Sequence, residues 1–208
     1  NTKVEKQPLL PTENNVLKTF SIENEPVVEL VNNREREYIF ADLPDIGYST
    51  DIDTVMASSY QVKKQLQQIV KIEQPITNTL LYKRILRIWN LTRVTTRLQV
   101  FIDSLLEDAY KDPLSGDTII YWENKEKAKE CDFYRINSKR DILDIPILEV
   151  MSAARYAIEQ QISMPIEDLK RLTSQLLGFS RKGNNLDMVT EQTIQLLINK
   201  GIFSHANG

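Results

Sequence analysis

The sequence predicts a mainly α-helical protein with small β-hairpins, organised as tandem winged-helix-like (helix-turn-helix) units. Three observations lead there. Apolar residues from Leu98 onward recur at 98, 101, 102, 105, 106 and 109, one face of an amphipathic helix. A helix over about 78–89, with Leu81, Ile85, Ile88 and Trp89 on its buried side, precedes it so closely that the two must cross. Beyond them, Thr118-Ile119-Ile120-Tyr121-Trp122 is β-branched and aromatic, as a strand is.

In chain order, residues 1–57 read as a lead or linker segment. Pro8, Pro11, Pro26 and Pro44 punctuate it, and Asn14-Asn15 and Asn32-Asn33 are loop-like. Val27–Val31 and Tyr38–Phe40 are short strand candidates, and Arg34–Glu37, alternating in sign, reads as a solvated turn or helix edge. Ser49-Thr50-Asp51 and Ser58-Ser59 are helix-start signals. Residues 58–140 form the first winged-helix domain: a helix from about Ser59 to Glu73 with Val62, Leu66, Ile69 and Val70 inward, the helix before Trp89, then a third helix capped by Thr92 after only Asn90 and Leu91. Lys111–Asp117 reads as a turn cluster, and 118–122 with 132–136 as the strands of the wing.

Residues 141–208 form the second three-helix unit. Ile147, Val150, Met151, Ala154 and Ile158 mark its first helix, Leu169, Leu172, Leu176 and Leu177 its second. Leu186, Val189, Ile194 and Leu197 mark its third, capped by Ser180 and stopped by Gly201. Two cores are expected, one around Ile69, Leu81, Ile85, Leu98, Phe101, Ile102 and Leu105, the other around Leu169, Leu172, Leu176, Leu186 and Val189. The two units repeat one another. Trp89-Asn90-Leu91-Thr92-Arg93 aligns with Leu177-Gly178-Phe179-Ser180-Arg181, Leu98 with Leu186 and Phe101 with Val189 at one offset, and Pro75-Ile76 with Pro165-Ile166 after a shift of two. Only seven residues follow Gly201, enough for a short strand through Ile202-Phe203 but for no wing.

Charge points to a surface. The chain carries a net charge of −3, yet Lys83, Arg84, Arg87, Arg93 and Arg97 fall within 83–97 with no acid among them. Arg93, Thr95, Thr96 and Arg97 stand on the first turn of the third helix, the part of such helices that meets DNA, where guanidiniums and hydroxyls suit phosphates and base edges. Arg181 and Lys182 are their counterparts in the second unit. Against this, Asp103, Glu107 and Asp108 follow along the helix, and Arg84 and Arg87 are alternatively partners of acids elsewhere in the fold.

Other chemistry finds little support. No Gly-x-x-x-x-Gly-Lys-Ser/Thr loop is present. The single histidine, His205, leaves no His-based triad or metal cluster, so no catalytic residue, metal or cofactor is expected. Cys131, between Glu130 and Asp132, has neighbours that oppose a thiolate. Asp141 and Asp144 read as helix-start residues before Pro146 rather than as a catalytic pair, and Trp89 and Trp122 as core or wing anchors. No apolar run approaches the ~20 residues that cross a bilayer, so no membrane partner is expected. The single Cys131, which excludes an internal disulfide, fits a reducing compartment, so a cytoplasmic location is expected. The chain begins at Asn1 and reads as a piece of a longer protein.

Ile69-Val70-Lys71-Ile72-Glu73-Gln74-Pro75-Ile76, Leu81 to Ile85, Trp89-Asn90-Leu91-Thr92-Arg93, Arg97-Leu98 and Leu176-Leu177-Gly178-Phe179-Ser180-Arg181 together resemble a domain of unknown function. That domain is found at the C-terminal end of large bacterial superfamily 1 DNA helicase-like proteins. The resemblance covers about Tyr60 to Phe203 and departs from the family at Gln74 and Asn90, where glycine is usual. It implies upstream ATPase and restriction-endonuclease-like domains, and an accessory role for this chain without ATPase or nuclease activity of its own. Two functions follow as expectations: weak, salt-sensitive DNA binding, or docking onto the helicase and nuclease domains of the parent protein.

Overall fold

The computed structural model describes residues 32–115, 118–136, 138–160 and 163–204. The expected strand at Val27–Val31 and the tail holding His205 lie outside these residues. The fold is mainly helical with two small sheets. Strand β1 (Glu35–Glu37) comes first, followed by α1 (Ile52–Ala57), α2 (Ser59–Glu73), β2 (Ile76–Thr77), α3 (Asn78–Ile88), α4 (Thr96–Leu105), β3 (Tyr110–Ser115), β4 (Thr118–Trp122), α5 (Lys125–Lys129) and β5 (Tyr134–Ile136). A helical turn at Ile142–Asp144 then leads into α6 (Ile147–Glu159), α7 (Ile166–Leu176) and α8 (Asn184–Asn199).

The helix starts obey local chemistry. Asp51 accepts from the Thr54 amide at 2.8 Å and caps α1. Thr77 caps α3 through the Leu80 amide, and Thr95 caps α4 through the Leu98 amide, each at 3.2 Å. The cap of α4 is therefore Thr95, not Thr92, and seven residues, 89–95, separate α3 from α4. The extra chain is consumed by closing α3. Asn90 adopts φ +48°, its amide donates to the Arg87 carbonyl, and the Leu91 amide reaches back to Leu86 at 2.9 Å. This is a left-handed helix stop, and asparagine tolerates that conformation where glycine would be the usual choice. Similarly, α8 starts after Gly183 with no side-chain cap, three residues later than a Ser180 cap would give.

The duplication is visible in the backbone. Helices α2, α3 and α4 begin at residues 59, 78 and 96, and α6, α7 and α8 at 147, 166 and 184, a constant step of 88. The stop after α3 recurs after α7 at the same step: Gly178 takes φ +88°, its amide bonds to Gln175, and Phe179 reaches Ser174 at 2.9 Å. On that step Pro165 stands where Thr77 caps α3, so the shift of two that paired Pro165 with Pro75 is not needed.

Sheet pairing differs from expectation in two places. The hairpin after α4 pairs β3 with β4, Tyr110 opposite Trp122, so residues 110–115 are strand where a turn cluster was expected. Strand β2 takes the other edge of β4, Ile76 opposite Tyr121, giving the antiparallel order β2-β4-β3. With both edges of β4 occupied, β5 cannot join it. Instead α5, capped by Asn124 at 3.0 Å, leads the chain away, and β5 pairs in parallel with β1. Arg34–Glu37 is thus largely a strand rather than a turn or helix edge, its three residues exposed. Tyr38–Phe40 is not a strand. Its aromatic rings are claimed by cations, Tyr38 lying 4.3 Å from the Arg140 guanidinium and Phe40 3.5 Å from that of Arg84. No terminal strand forms at Ile202-Phe203; Phe203 packs beside Ile194.

The first core contains Ile69, Leu81, Ile85, Leu98 and Ile102 as expected, with Phe101 and Leu105 partly buried at its rim. The second set divides its apolar residues between two clusters. Leu177 and Leu186 join Tyr134, Ile142 and Val150, whereas Leu169 and Ile194 pack with Leu172; Leu176 touches both. Trp89 and Trp122 are buried, and the Trp89 indole donates to Gln65 at 2.8 Å.

Candidate nucleic-acid interface

The five cations of the 83–97 cluster separate once the fold is formed. Arg84 is removed from any surface reading: it is 5% exposed, and its Nε donates to Glu73 Oε1 at 2.9 Å. Glu73 itself is fully buried and also accepts from Tyr38 and from the Ala41 amide. A charge buried that deeply must be paired, so Arg84 serves to neutralise Glu73 and to hold residues 38–41 against α2 and α3. Lys83 donates to both oxygens of Asp144 at 2.8 Å, fastening α3 to the connector ahead of α6. Asp141 caps the turn at Ile142–Asp144 through the Leu143 amide, so both connector acids are structural. Arg97 bonds Asp53 of α1 at 2.7 Å, in an exposed pair that is worth little energetically but occupies the guanidinium.

Arg87 and Arg93 are exposed and make no ion pair among the described residues. Thr96 is exposed, whereas the Thr95 hydroxyl is engaged as the α4 cap. Arg181 and Lys182 are also exposed and unpaired among the described residues, in the loop ahead of α8. Arg93 and Arg181 are separated by the same step of 88, each three residues before the third helix of its set.

The acids on the third helices are turned to internal tasks. Asp103 accepts from Tyr82 and, at 2.8 Å, from Tyr121, and so points into the fold rather than along an outer face. Burial, and then the bond to this carboxylate, raises the pKa of both phenols. Asp108 pairs with Lys63 at 3.2 Å, and Glu107, exposed beside it, has no ion pair among the described residues. In the second set, Lys170 binds Asp187 at 2.6 Å and Glu167 and Glu191 at 3.3 Å. The Asp187 bond leads in raising the pKa of the lysine. Lys170, Glu167 and Asp187, with Arg181 and Lys182, line a cleft of about 470 Å³ between α7 and α8.

A second charged cluster is buried. Glu149 of α6 accepts from Arg140 through both oxygens at 2.8 Å, and from the Arg135 side chain and amide. Arg135 also donates to the carbonyls of Glu73 and Pro75, at 2.7 and 2.6 Å, and so joins the α2–β2 turn to α6. Burial pushes the Glu149 pKa up, but Arg135 and Arg140 outweigh it and the net shift is downward. The Cys131 thiol is pushed up to about 12, by burial first and the Glu149 charge second, rather than chiefly by Glu130 and Asp132. No group of three or more His, Cys, Asp or Glu among the described residues is placed to hold a metal ion. No helix among them is long and apolar enough to cross a membrane.

The partners Glu73, Asp144 and Asp53 were not identifiable from sequence, because each lies in an element whose packing against the cations is tertiary. The Arg93–Arg181 correspondence was legible in the repeat. Residues 57–100 match a family described as a protein of unknown function (DUF3320), which covers α2, α3 and the start of α4. No curated protein matches the chain, and no solved structure matches it.

Proposed function

We propose that the two helical sets are tandem winged-helix-like units, and that together they form an accessory nucleic-acid-binding module of a superfamily 1 DNA helicase-like protein. The first set supports the architecture: three helices in order, a short strand between the first two, and a hairpin after the third, with sheet order β2-β4-β3. Among the described residues, the second set has the three helices but no hairpin after the third. The helicase context rests on the sequence resemblance.

One observation carries the nucleic-acid reading. Arg93 and Arg181 occupy equivalent turns of the two sets, exposed and without an acid partner among the described residues. Phosphate contacts require cations that are not already neutralised, and the duplication offers such a cation twice at the same place. The test is affinity of the chain for duplex DNA measured across a salt series. Binding that weakens steeply with salt supports the reading, and absence of binding at low ionic strength defeats it.

The second reading, docking onto the helicase or nuclease domains of the parent protein, is favoured by exposed apolar residues. Tyr48, Tyr60 and Val100 are 63%, 72% and 64% exposed. It gains further weight from the fact that Lys83, Arg84 and Arg97 are already held by acids. Retained binding of the upstream domains at high salt, with no DNA affinity, is its expected signature.

A further inference from the structure

Helix α8 turns a stripe of neutral side chains to solvent. Asn184, Met188 and Gln192 recur at steps of four, with Asn185 beside them, and all four are exposed. They lie opposite the buried Leu186, Ile194 and Leu197. The two acids nearest the stripe, Asp187 and Glu191, sit on its α7-side edge, and Lys170 holds both. The loop that leads into the stripe supplies Arg181 and Lys182.

Helix α4 offers a poorer surface at the equivalent place. Its Arg97 is taken by Asp53, Met56 of α1 shares a groove with Val100 and Phe101, and Glu107 is exposed beyond its end. In the second set, the stretch one step of 88 from α1 holds only the helical turn at Ile142–Asp144.

Carboxamides and a flanking cationic loop match one particular ligand. An Asn or Gln side chain presents a donor and an acceptor together, which pair with the N7 and N6 positions of adenine in the major groove. An apolar side chain between them suits the thymine methyl, and cations alongside engage phosphates. We infer that α8, rather than α4, is the helix that enters the major groove, and that it favours A·T base pairs through Asn185 and Gln192, which lie seven residues apart on one line of the helix. Arg181 and Lys182 then contact the flanking phosphates. This inference rests on the nucleic-acid reading proposed above.

The test uses the full chain and two duplexes of equal length, one with an A·T core and one with a G·C core, in a fluorescence-anisotropy salt series. The A·T duplex binds about tenfold more tightly, the scale of one good bidentate contact. Changing Asn185 and Gln192 together to Ala removes that preference and leaves the salt slope unchanged. Changing Arg181 and Lys182 to Ala flattens the slope by about two units and keeps the preference. Both substituted pairs are exposed, so thermal unfolding of each variant should follow the parent and separates lost contacts from lost fold. Salt-sensitive binding without an A·T preference, or with one that survives the Asn185/Gln192 change, overturns the inference and leaves the parent reading standing. Absence of salt-sensitive binding to either duplex overturns both.

Discussion

The Tyr82 hydroxyl donates to both carboxylate oxygens of Asp103, at 2.8 and 2.9 Å, and ties α3 to α4. A step of 88 along the chain, Lys170 and Glu191 tie α7 to α8 at 3.3 Å. The crosslink keeps its place in both sets while its chemistry changes, from a neutral donor to a cation. In each case an acid that would face a ligand along the third helix is drawn to the neighbouring helix instead.

Asp103 is the acceptor for two phenols, so its loss takes the acceptor from both hydroxyls, with Asn78 still bonded to Tyr82. Asp103→Ala should destabilise the chain by about 2–3 kcal/mol in denaturant unfolding, the cost of stranding mostly buried hydroxyls. The phenol pKa values are raised in the fold above the ordinary ~10, so the neutral forms carry the stability. That contribution is complete below pH ~10 and is lost as pH rises through the folded values. Stability should therefore fall on the alkaline side, and a Tyr82→Phe, Tyr121→Phe double variant should show a shallower fall.

Glu149 neutralises two buried guanidiniums, so Glu149→Gln should cost about 3–5 kcal/mol, because Arg135 and Arg140 remain buried without a counter-charge. The folded pKa of Glu149 is lowered, so its contribution is present above the unfolded value of ~4.3 and disappears as pH falls through the folded one. By contrast, Asp53→Asn breaks only the exposed pair with Arg97 and should change stability by less than about 1 kcal/mol. Equal losses in the two variants would contradict this division.

Phe101 and Ile102 are neighbours with different burial. Ile102 is fully buried, whereas Phe101 sits at the rim of the core beside Met56 and Val100. Ile102→Ala should cost about 2–5 kcal/mol, and Phe101→Ala less than the ~3–5 kcal/mol of a fully buried phenylalanine. If Phe101→Ala proves the more damaging in urea unfolding, the register of α4 described here is wrong.

The six longer helices were legible because each carries an apolar stripe, whereas α1 was hidden in the expected linker and α5, Lys125–Lys129, buries no residue that could announce it. The limits of α2 were readable to the residue from Ser58-Ser59 and Pro75, and the repeat was readable from the turn at Asn90 and Gly178. Caps were misplaced by three residues at Thr92 and Ser180, since a helix stop with a left-handed residue consumes chain that looks like a cap. The sheet was misassigned because Ile76-Thr77 is too short to announce a strand, yet it takes the edge of β4 that 132–136 was expected to fill. The cation cluster was visible as a cluster, but linear sequence cannot show that Glu73, Asp144 and Asp53 reach three of its five members.

Whether the unpaired cations repeated between the two sets bind DNA, as proposed, is decided by the salt dependence of duplex affinity for the unsubstituted chain and for an Arg93→Ala, Arg181→Ala double variant. Four exposed cations, Arg87, Arg93, Arg181 and Lys182, predict a slope of log affinity against log salt of about −3 to −4, at about −0.9 for each phosphate neutralised. The double variant should flatten that slope by about two units, with thermal unfolding unchanged. An identical slope in the unsubstituted chain and the variant, or no salt-sensitive binding by the unsubstituted chain at low ionic strength, contradicts the DNA-binding proposal and leaves the docking proposal to be tested.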